Sequence, residues 1–150
     1  MYYWLLKTEG ECYSIDDLKR DAKTAWTGIR NYQARNYMRD GMHIGDLALF
    51  YHSGANAGIY GIAKIVSKSY PDLTQFDKKD DHFDPKATKT KPIWQCVDIA
   101  FVKKFKQPLL LSQIKFDSAL EGMVVRARGS RLSVQPVLEN HFTYIKNLAK

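Results

Sequence analysis

Residues 47–65 read LALFYHSGANAGIYGIAKI. Leu47, Leu49 and Tyr51 alternate with Ala48, Phe50 and His52, the period-two pattern of a strand. Gly54 and Gly58 bracket a short loop, and an apolar run, IYGIAKIVSKSY, follows as a second strand. A loop this short requires the two strands to lie antiparallel. Gly45-Asp46 marks the turn that leads into the hairpin.

Working outward, YYWLLKT near the start reads as an aromatic-rich strand. Ser14 stands three residues before Asp17, a capping box that opens a short helix ending around Asp21. Asn31 caps a predicted helix over Tyr32 to Arg39, closed by Gly41. Residues 71–92 are polar, with KKDD and KATKTK, and read as a long, mobile surface loop. WQCVDIAFVKKF is a third strand. A helical start follows at Ser112, and a short helix over Ser118 to Glu121 ends at Gly122. MVVRARGSRLSVQPV reads as one or two short strands around Gly129-Ser130. From Leu138 to Leu148 the spacing is helical, with Phe142, Ile145 and Leu148 on one face. The pattern predicts an α+β protein: a small, mostly antiparallel barrel or curved sheet decorated by short helices. The length, 150 residues, fits one domain over 1–150.

Hydrophobic residues make up 45% of the chain, enough for one continuous core. Cys12 and Cys96 lie far apart with no CxxC, which argues against a disulfide framework and for a reducing compartment. Neither sits in a nucleophile signature, and both are read as structural. The N-terminus lacks the form of a signal peptide, and no run is long enough to span a bilayer. A soluble protein is expected, cytoplasmic or, in a eukaryotic source, nuclear, with no membrane partner. The formal charge of +7 favours a polyanion partner, because Lys and Arg neutralise phosphates and release counterions. His43, His52, His82 and His141 are scattered and no HExxH occurs, so no metal site is expected. P-loop and GxGxxG patterns are missing, and no cofactor is expected.

Three stretches carry candidate chemistry. WTGIRNYQARNYMRD, residues 26–40, crowds rings, amides and guanidiniums together. Rings stack on nucleobases, amides match base edges, and Arg serves phosphate. The same residues also fit a capped helix with Tyr32 and Tyr37 packed inward and Arg30, Arg35 and Arg39 solvated. FYHSG, residues 50–54, ends a strand with His52 and Ser53 at a loop mouth. A hydrolase pair there needs an orienting carboxylate, and Asp98 is the nearest thing to a third member; the G-x-S-x-G elbow is missing. RARGSRLSVQP, residues 126–136, gathers Arg126, Arg128, Arg131, Ser130 and Ser133 as phosphate donors, with Gln135 held extended before Pro136.

Taken together, YWLLKTE, YSIDDL, W-x-GIRNYQARN, GDLALFYHS, YPD at 70–72 and GSRLSVQP resemble the EVE domain family almost end to end. The resemblance implies a PUA-like curved antiparallel β-barrel with peripheral short helices. It also implies a non-catalytic module that reads a modified base, modified cytosine in DNA first, in an aromatic pocket. Carried over by motif, the nucleobase pocket is Trp26, Asn31, Tyr32, Phe50, Tyr51, His52 and Ser53. Phosphate or backbone contacts fall to Arg30, Arg35, Ser130, Arg131, Ser133 and Gln135. The expected partner is DNA or RNA carrying a modified base, bound by a monomer. Two alternatives stay open: a PUA-type RNA-binding protein, and a nucleotide hydrolase using His52 and Ser53. Glu9-Gly10 departs from the acid-proline start of many members, and the GANAG loop, residues 54–58, varies in the family.

Overall fold

A computed structural model describes residues 1–127 and 131–150. Strands β1 (Tyr3–Glu9) and β3 (Leu47–Ser53) pair in parallel near the middle of a six-stranded sheet. Both are apolar on both faces. Trp4, Leu6, Ala48 and Phe50 join one core cluster, while Leu5, Leu49 and Tyr51 join a second on the other side. A parallel pair needs a crossover. Helix α1 (Ile15–Asp21), the short strand β2 (Lys23–Ala25) and helix α2 (Tyr32–Asn36) supply it.

β3 turns back into β4 (Gly58–Ile65) as the expected antiparallel hairpin. After β5 (Tyr70–Pro71) and β6 (Gln95–Cys96), which form a small separate sheet, comes the long β7 (Asp98–Leu110). The main sheet runs β2-β7-β4-β3-β1-β8, with β8 (Val134–Val137) closing it against β1. Every pair but β1/β3 is antiparallel. The expected curved sheet with peripheral helices is present, mixed rather than wholly antiparallel. Its curl has local causes. Register shifts occur between Phe50 and Tyr51 and at two places along the β4/β7 pair. Tyr60 is the extra residue at the first, while β7 carries three extra residues opposite Ile59–Gly61 and one, Val102, opposite Ile62–Ala63; such insertions bend the strand that holds them. Gly61 lies where β4 meets β7 so closely that a Cβ would sit 2.3 Å from the Lys103 carbonyl oxygen.

α1 and α2 cover the first face through Ile15, Leu18 and Ala34. Helices α3 (Leu111–Phe116) and α4 (Glu139–Ala149) cover the second through Ile114, Phe142 and Ile145. The Ser14 capping box forms as read, with Asp17 N–H on the Ser14 hydroxyl at 3.1 Å and Ser14 N–H on the Asp17 carboxylate at 2.9 Å. Three readings need correction. The helix over 32–39 is α-helical only to Asn36 and finishes as a wide turn over Tyr37–Gly41. The start of MVVRARGSRLSVQPV is a short 3-10 turn, Val124–Arg126, closed by the Arg126 and Ala127 N–H groups on the Met123 and Val124 carbonyls, and the Arg126 guanidinium ties it to the Lys115 and Asp117 carbonyls. The segment 71–92 is anchored: Asp72 and Gln75 are buried, and Gln75 accepts from the Ile93 and Trp94 N–H groups while donating to two carbonyls. Among the described residues no helix is long and apolar enough to cross a membrane.

Candidate functional site

The loop after β2 carries Trp26 into the first core cluster. Its backbone N–H bonds the Val97 carbonyl at 2.8 Å. Its ring packs edge-on to Phe50 at 5.5 Å and to Tyr13 at 6.3 Å. Trp26 is 7% exposed. Among the described residues, its indole N–H is the one buried side-chain polar atom with no hydrogen-bond partner. Outside it opens a cleft of about 690 Å³, lined by Trp26, Tyr13, Thr27 and Gly28, by Thr8, Glu9 and Ser133, and by Asp81 and His82. That volume is within the range of about 300–1,000 Å³ typical of small-molecule sites.

One wall of the cleft is the turn 26–29. Gly28 adopts φ +83°, and its N–H bonds Asp72 at 2.8 Å. A Cβ on Gly28 would come within 2.9 Å of His82 Nε2, so the two walls meet there with no room for a larger residue. Asp72 is fully buried. Burial works to raise its carboxyl, but hydrogen bonds from Thr74, Gly28 and Arg30 hold it below the usual carboxylate range.

A second cleft, about 430 Å³, lies across the Glu9–Tyr13 turn and is lined by Glu9, Gly10, Glu11, Ser14, His52 and Ser53 together with Gly54 and Ala55. His52 stacks on Tyr60 at 4.0 Å, and its Nε2 accepts the Ile15 N–H at 3.1 Å. Burial lowers its pKa, against a smaller raising pull from Asp16 and Asp17. The Ser53 hydroxyl donates to the Thr8 carbonyl at 3.3 Å, and the Asp98 carboxylate accepts from Tyr70 at 2.6 Å. The three members of a hydrolase triad are thus engaged elsewhere. Cys12, at the rim of the first cleft, has its thiol raised by its hydrogen bond to Glu9, and burial pushes Cys96 up to about 11. Neither is an activated nucleophile. No group of three or more metal-ligating side chains occurs among the described residues.

The residues expected in one pocket are distributed over several places. Trp26 lines the first cleft; His52 and Ser53 line the second. Phe50 is fully buried behind Trp26. Tyr51 faces the opposite core, beneath the Lys7 ammonium at 5.6 Å, because strand alternation turns it away from Phe50 and His52. Asn31 spends its side-chain oxygen on the Ala34 N–H, and Tyr32 is exposed, tilted against Trp94 at 4.9 Å. Of the expected phosphate contacts, Arg30 is engaged with Asp72, Thr74 and the His82 carbonyl. Arg35 donates to Ile93 and Asn36 and covers the Tyr32 ring at 4.9 Å. Gln135 is buried with its amide on the Leu132 carbonyl at 2.7 Å. Arg131 is exposed, Ser133 borders the first cleft, and Ser130 lies outside the described residues. Tyr13, Thr27, Asp81 and His82 were missed as cleft residues. Thr27 lies inside the 26–40 stretch and Tyr13 opens the YSIDDL motif, but neither reads as a cleft residue from the sequence, and nothing local marks Asp81 or His82.

The EVE domain family profile matches residues 2–148 of this chain. Thymocyte nuclear protein 1 of Gallus gallus is 42% identical over 166 aligned residues, taking in 97% of this chain and 68% of that protein. The crystal structure of a Pseudomonas syringae protein superposes with a TM-score of 0.94 at 46% identity, covering 99% of each chain. The human THYN1 protein, crystallised in complex with 5-methylcytosine-containing DNA, superposes with a TM-score of 0.93 at 38% identity, over 100% of this chain and 98% of that one.

Proposed function

This chain belongs to the EVE domain family, and from that premise we propose that it is a non-catalytic module that takes a modified base of DNA, methylated cytosine first, into the cleft walled by Trp26. The observation that carries the reading is the Trp26 indole at the cleft wall: its N–H is buried and lacks an acceptor in the free protein, so a base gains that donor only as the ring turns outward to meet it. Cytosine, methylated or not, brings a ring to stack and a carbonyl and ring nitrogen to accept. Extruding a base costs a few kcal/mol. Stacking returns about 1–3 kcal/mol, and a satisfied donor about 0.5–1.5 kcal/mol more. A buried methyl adds only about 1 kcal/mol, so discrimination by the methyl alone is modest. The relative with methylated DNA supports the same reading, as does the formal charge of +7. The engagement of Ser53 and His52 with Thr8 and Ile15 supports a binding role over a hydrolytic one. The module is proposed to act as one domain over residues 1–150 and as a monomer.

The test is a competition among three oligonucleotides at one fixed salt concentration: a duplex with a single 5-methylcytosine, the same duplex unmodified, and a structured RNA. Preference for the methylated duplex is expected. Preference for the RNA would move the module to the RNA-binding class, and turnover of any of the three would overturn the non-catalytic reading.

A further inference from the structure

Both walls of the Trp26 cleft converge on one side chain. The Arg30 guanidinium makes four hydrogen bonds: Nη1 to Asp72 at 3.1 Å and to the Ile29 carbonyl at 3.0 Å, Nη2 to Thr74 at 2.9 Å, and Nε to the His82 carbonyl at 2.9 Å. Guanidinium has five N–H groups, so one is left. A phosphate is gripped by two. Arg30 therefore holds no free fork to offer DNA. Its side chain is 21% exposed, and its Asp72 partner is fully buried.

The same carboxylate oxygen of Asp72 that takes Arg30 also takes the Gly28 N–H, two residues beyond Trp26. The Trp26 wall is thereby tied at both ends, to Val97 on the sheet side and to Asp72 on the other. The opposite wall, Asp81 and His82, is held down through the His82 carbonyl, and the Asp80 carboxylate takes the His82 N–H at 2.8 Å. A buried ion pair adds little net stability compared with apolar residues of the same volume. What it does supply is fixed geometry. Sites whose supporting residues are left loose lose their function before their fold.

Resting on the base-cleft reading above, we propose that Arg30 and Asp72 are positioning residues: together with Thr74 they hold the Trp26 turn and the Asp81–His82 turn at the separation a single base needs, and Arg30 does not bind phosphate. Lysine cannot replace Arg30 in this role, because one ammonium cannot span Asp72, Thr74 and the His82 carbonyl together. On a phosphate rail, by contrast, lysine still supplies the positive charge, as a point contact, and keeps much of the binding and the salt slope.

The test uses Arg30→Gln, Arg30→Lys and the milder Thr74→Val, each first checked for a cooperative thermal melt. Anisotropy titrations over a salt series use the 5-methylcytosine duplex and the same duplex with an abasic site in place of that base. The expected result is a loss of about tenfold on the methylated duplex for both Arg30 variants. Abasic binding and the salt slope are expected to stay as in the parent, and Thr74→Val to give a smaller loss of the same kind. In the free Arg30 variants the Trp26 indole N–H resonance is expected to move while that of Trp4, bonded to Asp46 elsewhere, stays. The proposal is overturned if Arg30→Lys restores binding, or if Arg30→Gln weakens both duplexes alike with a slope shallower by about one. Parent-like binding of the methylated duplex by all three variants overturns it as well. If the Arg30 variants do not fold, Thr74→Val decides on the same criteria. If the parent itself binds both duplexes equally, the base-cleft reading fails instead; the clamp then stands or falls on whether the Trp26 resonance moves.

Discussion

Replacing Trp26 by phenylalanine keeps an aromatic face at the cleft and removes the indole N–H. In the free protein that donor is buried without an acceptor, a situation that costs about 1–3 kcal/mol relative to a satisfied donor. Removing it therefore stabilises. Phenylalanine also leaves part of the indole's volume empty beside Phe50 and Tyr13, and such trimming of a packed side chain costs roughly 1–3 kcal/mol. The two effects offset each other, and the melting temperature is expected to stay within about 4 °C of the parent. Binding is a different matter. A base acceptor that loses its donor gives up about 0.5–1.5 kcal/mol, a loss of roughly 2- to 12-fold in affinity. Trp26→Ala behaves otherwise. It empties a site that is only 7% exposed, at roughly 3–5 kcal/mol, a large share of a total stability of about 5–15 kcal/mol. Its binding defect would be inseparable from unfolding. The assay is a circular-dichroism melt of each variant, paired with anisotropy titration of a labelled 5-methylcytosine duplex well below the melting range. A phenylalanine variant that binds like the parent refutes the donor's role. One that melts as low as the alanine variant refutes the claim that the N–H is unsatisfied.

Gly28→Ala puts a Cβ at φ +83° and 2.9 Å from His82 Nε2; it is expected to cost about 1–2 kcal/mol in a thermal melt and to weaken methylated-duplex binding as His82 is displaced. His52 has a lowered pKa in the folded state because burial disfavours its charged form. Its contribution to stability is full above the ordinary value of 6.5 and is lost as the pH falls from there through the lowered folded value. Denaturant titrations across that range are expected to show the loss in the parent and less of it in His52→Gln. Arg131 is exposed; Arg131→Ala is expected to weaken all oligonucleotides alike and to make the salt slope shallower by about one, and an unchanged slope removes it from the phosphate contacts.

Much of the frame was legible because it is written in local pattern. The alternation in LALFYHS, the glycines bracketing the hairpin loop and the Ser14–Asp17 box all act over a few residues, and the structure realises each. The same alternation already places Tyr51 on the face opposite Phe50 and His52. Grouping these residues by their adjacency in the chain was the error, and the period-two rule corrects it without coordinates. Other features depend on partners far away. Arg30 has the look of a phosphate ligand until Asp72, 42 residues on, claims it. The polar composition of 71–92 hides Gln75, buried because the N–H groups and carbonyl at Trp94 and its neighbours need satisfying. The parallel pairing of β1 with β3 also escapes local reading, since it is set by how the intervening helices cover the first face. The orphaned indole N–H could not be found from sequence, because it is defined by the acceptors that do not surround it.

The central claim, that a base seats against Trp26, is tested most directly by following indole N–H resonances while a 5-methylcytosine duplex is added to the ¹⁵N-labelled protein. The Trp26 signal, assigned with the Trp26→Phe variant, is expected to shift downfield and saturate with the binding curve, as its donor gains an acceptor. The Trp4 signal, already bonded to Asp46 at 3.0 Å, is expected to stay in place. A saturating titration that leaves the Trp26 resonance where it began would contradict the account.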